Sequence, residues 1–155
     1  YLYLDKQDGD SLNDIITFFG NKGDIQINTR LNTFDTSFEI SGSENSDHLN
    51  EYNSIIRKYN MQNLDLLEIF YNAQIGNNQK RIDSVNSELE NLIRKKYLYT
   101  LNFSITNSAN EISPYIAVSQ IPDANIDLLR KVYDTLPERI KDSKYGKILK
   151  EITSD

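Results

Sequence analysis

The side chains that most enzymes use for catalysis are scarce in this sequence. His48 is the single histidine, and the chain has no cysteine. A nucleophile–histidine pair or a histidine-containing metal site would therefore have to be assembled around His48. His48 follows Asp47 near the start of a predicted helix, where we expect a surface residue. The lack of cysteine excludes thiol catalysis, disulfides and thiolate metal sites within this chain.

Three acidic residues near the start of the chain superficially resemble a calcium-binding loop: Asp5, Asp8 and Asp10. The glycine of such a loop stands at a fixed offset from the first ligand, and a bidentate glutamate follows at a fixed distance. Gly9 is at the wrong offset, and no glutamate follows at the required position. We therefore interpret this segment as a polar turn between strands.

Four other polar patterns have ordinary explanations. The carboxylates of one helical segment have no partners of predictable geometry and are interpreted as surface charge: Asp83, Glu88 and Glu90. Residues 20–23 (GNKG) lack the spacing and the final Lys-Ser/Thr of a phosphate-binding loop. Residues 102–104 match a glycosylation sequon. Because they lie within a long helical pattern, we attribute the match to chance. Residues 94–96 (RKK) form a short basic run typical of a solvated helix face. No catalytic, cofactor-binding or metal-binding residue is predicted, and the chain is not expected to be an enzyme by itself.

Tyrosine is abundant, with ten residues in the chain. Eight of them fall in helical segments: Tyr52, Tyr59, Tyr71, Tyr97, Tyr99, Tyr115, Tyr133 and Tyr145. Such residues could line a sugar-binding surface, but at helical spacing they more often lie in the core or at its edge. We favour the core interpretation.

The composition is that of one folded domain. The chain has 155 residues, of which 38% are hydrophobic and 26% charged, and its net charge is −6. An acidic chain repels nucleic acids and anionic lipids, so neither is expected as the main partner. No apolar run approaches the roughly 20 residues that span a bilayer. Tyr1 stands inside an apparent strand, and we expect the sequence to be part of a longer chain.

The hydrophobic period divides the chain near residue 42. Before it, residues 1–4, 12–19, 24–28 and 36–41 have β-rich or alternating patterns and are separated by glycine-containing turns. They predict a small antiparallel β-sheet or part of a β-sandwich. After it the apolar spacing becomes three and four, which predicts helices. The sequence therefore predicts a single α+β domain over residues 1–155, mainly β over 1–42 and mainly α over 43–155.

The helical part begins with candidate N-caps at Ser43 and Ser46, followed by two apolar segments around residues 49–59 and 64–71. Residues 76–78 (GNN) predict a stop and a restart. The next segment has a seam of residues spaced three and four apart: Ile82, Val85, Leu89, Leu92, Lys96, Tyr99 and Phe103. We expect a helical hairpin within one chain, packing on itself or on the sheet, rather than a dimeric coiled coil. Short helices are predicted from Ser113-Pro114, over 123–136 and over 143–152.

Several segments, in order, resemble a bacterial domain family of unknown function. That domain precedes the thioredoxin-like domain in many lipoproteins of the Gram-negative envelope. The similar segments are residues 18–27 (FFGNKGDIQI), 40–46 (ISGSENS) with 49–52 (LNEY), 110–117 (NEISPYIA), 129–137 (LRKVYDTLP) and 143–147 (SKYGK). The long helical insertion also occupies the same place as in the family.

The resemblance implies a context rather than a catalytic site. It implies the non-catalytic front domain of a periplasm-facing envelope protein, lipid-anchored outside this chain, that carries out thiol–disulfide exchange or a peroxiredoxin-like reaction. The domain would position the redox domain or recognise its client. Its partners would be a thioredoxin-like domain following in the same parent chain and a protein client. The family's opening strands and its Cys-x-x-Cys motif have no counterpart in this sequence, so no catalytic residue carries over. The alternative is a free-standing envelope module that binds a glycan or a protein.

Overall fold

The structure is a computed structural model and describes residues 1–4, 14–20 and 23–154. Within these residues four short strands precede Gly42 and six α-helices follow Ser43, which confirms the α+β class. The Asp5–Asp10 turn and positions 21 and 22 of the GNKG segment lie outside the described residues.

The strands form two separate antiparallel ladders, where the sequence predicted one small sheet or part of a sandwich. β1 (Leu2–Leu4) pairs with β2 (Asp14–Ile16). β3 (Gln26–Thr29) pairs with β4 (Phe38–Ser41), and a 3₁₀ turn at Leu31–Thr33 lies between them. β2 ends at Ile16, before the predicted end at Phe19, and Phe19 bonds to the next helix instead of to a strand.

Two serines at the beginning of the first helix, Ser43 and Ser46, form hydrogen bonds with Phe19 in the segment that follows β2. The Ser43 hydroxyl donates to the carbonyl oxygen of Phe19 at 3.0 Å, and the Phe19 amide donates to Ser46 Oγ at 2.9 Å. Ser43 Oγ also accepts from the Ser46 amide at 3.2 Å and caps the helix, as predicted. The predicted cap at Ser46 is wrong, because Ser46 lies inside the helix and its hydroxyl contacts Phe19.

Six α-helices complete the fold: α1 (Glu44–Ile75), α2 (Gln79–Thr106), α3 (Ile112–Gln120), α4 (Ile126–Thr135), α5 (Glu138–Lys141) and α6 (Lys144–Thr153). The two apolar segments predicted before residue 76 are one continuous helix, because no glycine or proline separates them. The predicted stop at residues 76–78 is confirmed. Asn77 there has φ 51°, and the Asn78 side chain accepts from the Arg81 amide.

The later helices follow the sequence prediction with two differences. α4 begins at Ile126 rather than Asp123, because the Asn125 side chain accepts from the Asp127 amide and fixes the helix start there. The four-residue helix α5 was not predicted. Pro114 lies in the first turn of α3, and Ser143 caps α6, both as expected.

Contacts divide the chain into two compact units, Tyr1–Glu51 and Tyr52–Asp155. The division falls inside α1, some residues after the change from strands to helices. The single domain over residues 1–155 remains a prediction.

The core of the second unit is built where the end of α2 meets the four shorter helices. Its buried members are Leu101, Ala117, Ile121, Leu129, Val132, Leu136, Ile140 and Leu149. Small side chains let α2 and α3 approach closely, since the buried Ser113 hydroxyl donates to the Ser104 carbonyl at 2.6 Å. Among the described helices, none has a stretch both long and apolar enough to cross a membrane.

Candidate functional site: the polar groove of the helical hairpin

The second unit has two parts that differ in burial. The helical core described above encloses its side chains from several helices. By contrast, the distal hairpin, which we define as residues 60–96, is made only of the end of α1 and the start of α2. Its buried side chains are Ala73, Val85 and Leu92, of which Val85 alone is fully enclosed among the described residues. A pair of helices without a third element buries little, so most distal hairpin residues contact solvent.

Aromatic side chains join α1 to α2 near the base of the hairpin. The rings of Tyr52 and Tyr99 stack at a centroid distance of 5.7 Å, and Phe103 lies 5.1 Å from Tyr52. Tyr59 contacts Tyr99 at 6.1 Å. These bulky side chains hold the two helices together and confirm that the predicted seam of α2 faces α1 of the same chain.

Toward the turn of the hairpin, fewer seam side chains are buried than the sequence predicted. Val85 and Leu92 are buried as expected, whereas Ile82 and Leu89 are only half-buried. Lys96 is accommodated in the seam because its amine donates to Asn60 Oδ1 on α1 at 3.0 Å. The two half-buried side chains lie at the edge of the hairpin because none of the other described helices covers them.

A polar groove runs along one side of the distal hairpin and has a volume of about 430 Å³. α1 and α2 together supply its lining: Gln62, Asp65, Leu66, Glu88, Asn91, Leu92 and Lys95. The two leucines form an apolar floor, and amides, carboxylates and one amine surround it. Glu88 is held in place by the Ser84 hydroxyl at 3.2 Å and by Arg81 at 3.5 Å.

The chemistry of the groove is that of recognition. Amides donate and accept, carboxylates accept, and the Lys95 amine donates, so the rim can bond to a polar ligand from several directions. An apolar floor beneath a few convergent polar groups is the usual make-up of a binding site. Of the side chains that sequence reasoning considered, Glu88 and Lys95 line this groove, although both were interpreted there as surface charge.

His48 belongs to the first unit. Its Nε2 is 3.7 Å from a Glu44 carboxylate oxygen, and its Nδ1 is 3.8 Å from one of Glu51. Its side chain is 25% exposed, so His48 is partly buried at the surface of the helix. Neighbours at three and four positions along a helix surface form such pairs routinely.

The other candidate positions also have structural settings. Burial confirms the core or core-edge interpretation of the helical tyrosines, with Tyr71 the exposed exception. The possible sequon lies within α2, with Ser104 buried. The Ser104 hydroxyl has no hydrogen-bond partner among the described residues. Across the described part of the chain, no group of three or more histidine, cysteine or acidic residues could hold a metal ion.

Segments 40–46 and 143–147, which carry part of the family resemblance, have residues that the fold requires. Gly42 has φ +84°, and a Cβ there would collide with the Asp24 carbonyl oxygen. Ser143 Oγ accepts from the Gly146 amide at 3.2 Å and caps α6. A Cβ at Gly146 would collide with the Ile140 and Lys141 carbonyls. The Tyr145 ring meets Tyr115 edge-on at 4.9 Å.

Comparison with protein-family models, with curated proteins and with solved structures gives no match. The polar groove was not foreseen in the sequence. Its members come from two helices whose mutual rotation depends on aromatic contacts between residues at least forty positions apart in the chain.

Proposed function

We propose that this chain is a non-catalytic accessory domain of an envelope thiol–disulfide oxidoreductase, in which it recognises a protein client. The observation that carries the proposal is the ordered succession of segments that resemble the family, from residue 18 to residue 147. In segments 40–46 and 143–147, Gly42 and Gly146 allow close backbone contacts and Ser143 caps a helix. Residues with such roles suit a domain that binds and positions rather than one that reacts.

The distal hairpin is the part of the chain best suited to recognition. Its residues contribute little to the buried core, so their surface can vary without loss of the fold. Its polar groove offers amide, carboxylate and amine groups over an apolar floor, which suits an extended peptide segment of a client. In this proposal the hairpin contacts the client, and the helical core keeps the hairpin in place.

The proposal places a thioredoxin-like domain after α6 in the parent chain, on the periplasmic side of the envelope and anchored by lipid outside this chain. The last helix is suited to hold such a domain. Leu149 is fully buried in the helical core, and Ile152 packs against it. A firmly packed final helix followed by a short connection would keep the two domains at a high effective concentration.

A kinetic comparison tests the accessory role. The full parent protein and its isolated redox domain are assayed with a small disulfide and with the natural protein client. Removal of the accessory domain should leave turnover of the small disulfide nearly unchanged and lower kcat/KM for the client. Equal loss with both substrates would show that this domain shapes the active site, and the proposal would be wrong. The accessory chain alone, which lacks cysteine, should not reduce insulin.

Groove variants in the full parent sharpen the test. Asn91→Ala and Asp65→Ala remove polar groups from the rim and should lower kcat/KM for the client while the small disulfide is turned over as before. Asn72→Ala, an exposed amide of α1 outside the groove, is the matched control and should change neither rate. If the rim variants turn over the client as fast as the wild type does, the groove does not recognise the client.

The groove also favours one alternative, a free-standing envelope module that binds a glycan or a protein. Planar amides and carboxylates form the multiple hydrogen bonds that sugar hydroxyls require. The reading frame distinguishes the two proposals: a Cys-x-x-Cys motif within about sixty residues after Asp155 favours the accessory domain. A stop codon there favours the free-standing module, whose sugar binding can be measured by calorimetry with Asn91→Ala as the binding-deficient variant.

A further inference from the structure

Charge is segregated along the two long helices. Residues 52–64 of α1 and 91–106 of α2 contain five basic residues and no acidic one, a net charge of +5. Residues 65–90, which include the hairpin turn, contain five acidic and two basic residues, a net charge of −3. The hairpin therefore has a positive zone toward its base and a negative zone toward its turn, and the polar groove crosses the boundary between them.

Two lysines lie at the base end of the groove. Lys95 lines the groove from α2, and Lys58 is four positions before the lining residue Gln62, on the same side of α1. Both lie within one turn of the hydrogen bond between Lys96 and Asn60, which joins the two helices. Both side chains are exposed, and no ion pair joins either amine to another described residue. An anionic ligand group can therefore approach both.

Two carboxylates lie at the turn end. Asp65 is seven positions after Lys58 on α1, and Glu88 is seven before Lys95 on α2, so each lies about 10.5 Å from a lysine along its helix and on nearly the same side. Both carboxylates line the groove. Arg81 holds Glu88 at 3.5 Å, whereas no ion pair joins Asp65 to another described residue. A ligand cation at this end would meet Asp65 and share Glu88 with Arg81.

We infer that the polar groove takes an extended peptide segment with an acidic and a basic residue three positions apart. The acidic side chain lies at the base end near Lys58 and Lys95, and the basic one lies at the turn end near Asp65 and Glu88. The uncharged residues between them cover the two leucines of the floor. The inference rests on the client recognition proposed above and names the class of segment that is recognised.

The spacing of the charges selects this segment. In the polyproline II conformation, residues three positions apart share one side and are about 9 Å apart, close to the roughly 10.5 Å between the two ends of the groove. In a β-strand such residues point to opposite sides. An α-helix, about 10 Å wide or more, is too wide to enter a groove of about 430 Å³. A segment with charges of one sign would meet a like charge at one end.

The test is calorimetric titration of the full 155-residue chain with short synthetic peptides whose ends are blocked. In the mixed peptides two prolines separate Glu from Arg, in either order; in the single-sign peptides they separate Glu from Glu or Arg from Arg. Because exposed ion pairs are weak, we expect a dissociation constant of about 100 μM to about 1 mM for the tighter mixed peptide. It should bind at least about fivefold more tightly than either single-sign peptide, and added salt should weaken it.

Charge reversal at the base end sharpens the test. Lys58→Glu with Lys95→Glu puts carboxylates at both ends of the groove, so the Arg-Pro-Pro-Arg peptide should now bind at least about fivefold more tightly than the mixed one. Arg57→Glu with Arg94→Glu is the matched control. These arginines lie 100° around each helix from the lysines, and their reversal changes the net charge equally. The control should keep the preference of the wild type.

All four substituted side chains are exposed, so the variants should stay folded, which thermal unfolding checks. If the lysine reversal does not fold, Lys58→Gln with Lys95→Gln replaces it and should bring the mixed and Arg-Pro-Pro-Arg peptides within about twofold of each other.

Four results would overturn the inference. They are equal binding of mixed and single-sign peptides, tightest binding of the Glu-Pro-Pro-Glu peptide, equal loss of mixed-peptide binding in the two double reversals, and no binding of any peptide at about 1 mM. The titration does not involve the redox domain, so its outcome is independent of the kinetic comparison in the parent. Peptide selectivity as described, together with client turnover that ignores the groove variants, would keep this inference and reject the role of the groove in client recognition.

Discussion

The helical core and the distal hairpin use similar amino acids for different purposes. In the core, Leu129, Val132, Ile140 and Leu149 are enclosed from all sides by α2 to α6. In the hairpin, residues of the same types lie on a two-helix layer that leaves many of them in contact with solvent. The difference shows that hydrophobic spacing along a helix predicts which face is apolar but not whether anything covers that face.

Leucine-to-alanine substitutions in the two regions should give the largest difference in stability. Leu129→Ala removes a fully buried side chain and should lower the free energy of unfolding by about 3 kcal/mol. Leu89→Ala, half-buried at the hairpin edge, should cost about 1 kcal/mol, and Leu64→Ala, largely exposed, close to nothing. Urea unfolding of the three variants measures this series. Equal losses at Leu129 and Leu64 would mean that the hairpin is as well covered as the core.

Glycine gives a second comparison of the two regions. Gly146→Ala should destabilise the core by about 2 kcal/mol or more, because the added methyl group collides with the Ile140 and Lys141 carbonyls and α6 must shift. Gly76→Ala, at the hairpin turn, meets nothing closer than the Asn72 carbonyl at 3.5 Å. It should be tolerated or stabilise by about 0.5 kcal/mol through a less flexible unfolded chain.

Thermal melting measures the stability of the two glycine variants relative to the wild type. A Gly146→Ala protein that melts with the wild type would show that α5 and α6 are not packed as closely as described. An alanine at this position keeps the amide hydrogen bond to the Asn72 carbonyl. A destabilised Gly76→Ala protein would therefore show that the turn needs glycine itself.

The sequence predicted the parts of the fold that local chemistry determines. The α+β class, the stop at Gly76 and the cap at Ser143 follow from residue types at fixed offsets. The continuity of α1 was missed although no glycine or proline interrupts it, and the four-residue helix α5 was missed because it is too short to show a helical period. The groove was missed for a related reason: Gln62 and Asn91 are unremarkable until tertiary contacts bring two helices together.

The hydroxyl network at the base of the hairpin combines a modest stability effect with a pH dependence. Tyr52 is buried, and its phenol oxygen lies 2.9 Å from Thr100 Oγ1. The Thr100 hydroxyl donates to the Lys96 carbonyl at 2.9 Å, so Tyr52 is the donor to Thr100. Tyr52→Phe removes one hydrogen bond and leaves Thr100 with its other partner. We therefore expect a loss of about 1 kcal/mol at neutral pH.

At high pH the difference in stability between the wild type and Tyr52→Phe should change. Burial raises the pKa of Tyr52 above its ordinary value. Because the folded protein holds this proton more tightly than the unfolded chain, its contribution is complete below the unfolded pKa, about 10, and is lost as the pH rises through the folded pKa. The advantage of the wild type over Tyr52→Phe should therefore shrink between about pH 9 and about pH 11. Urea unfolding of both proteins across this range measures it, with Tyr71→Phe as an exposed control that should match the wild type at neutral pH. A constant or growing advantage would mean that the Tyr52 phenol is hydrated, and that the base of the hairpin is as open to solvent as its distal end.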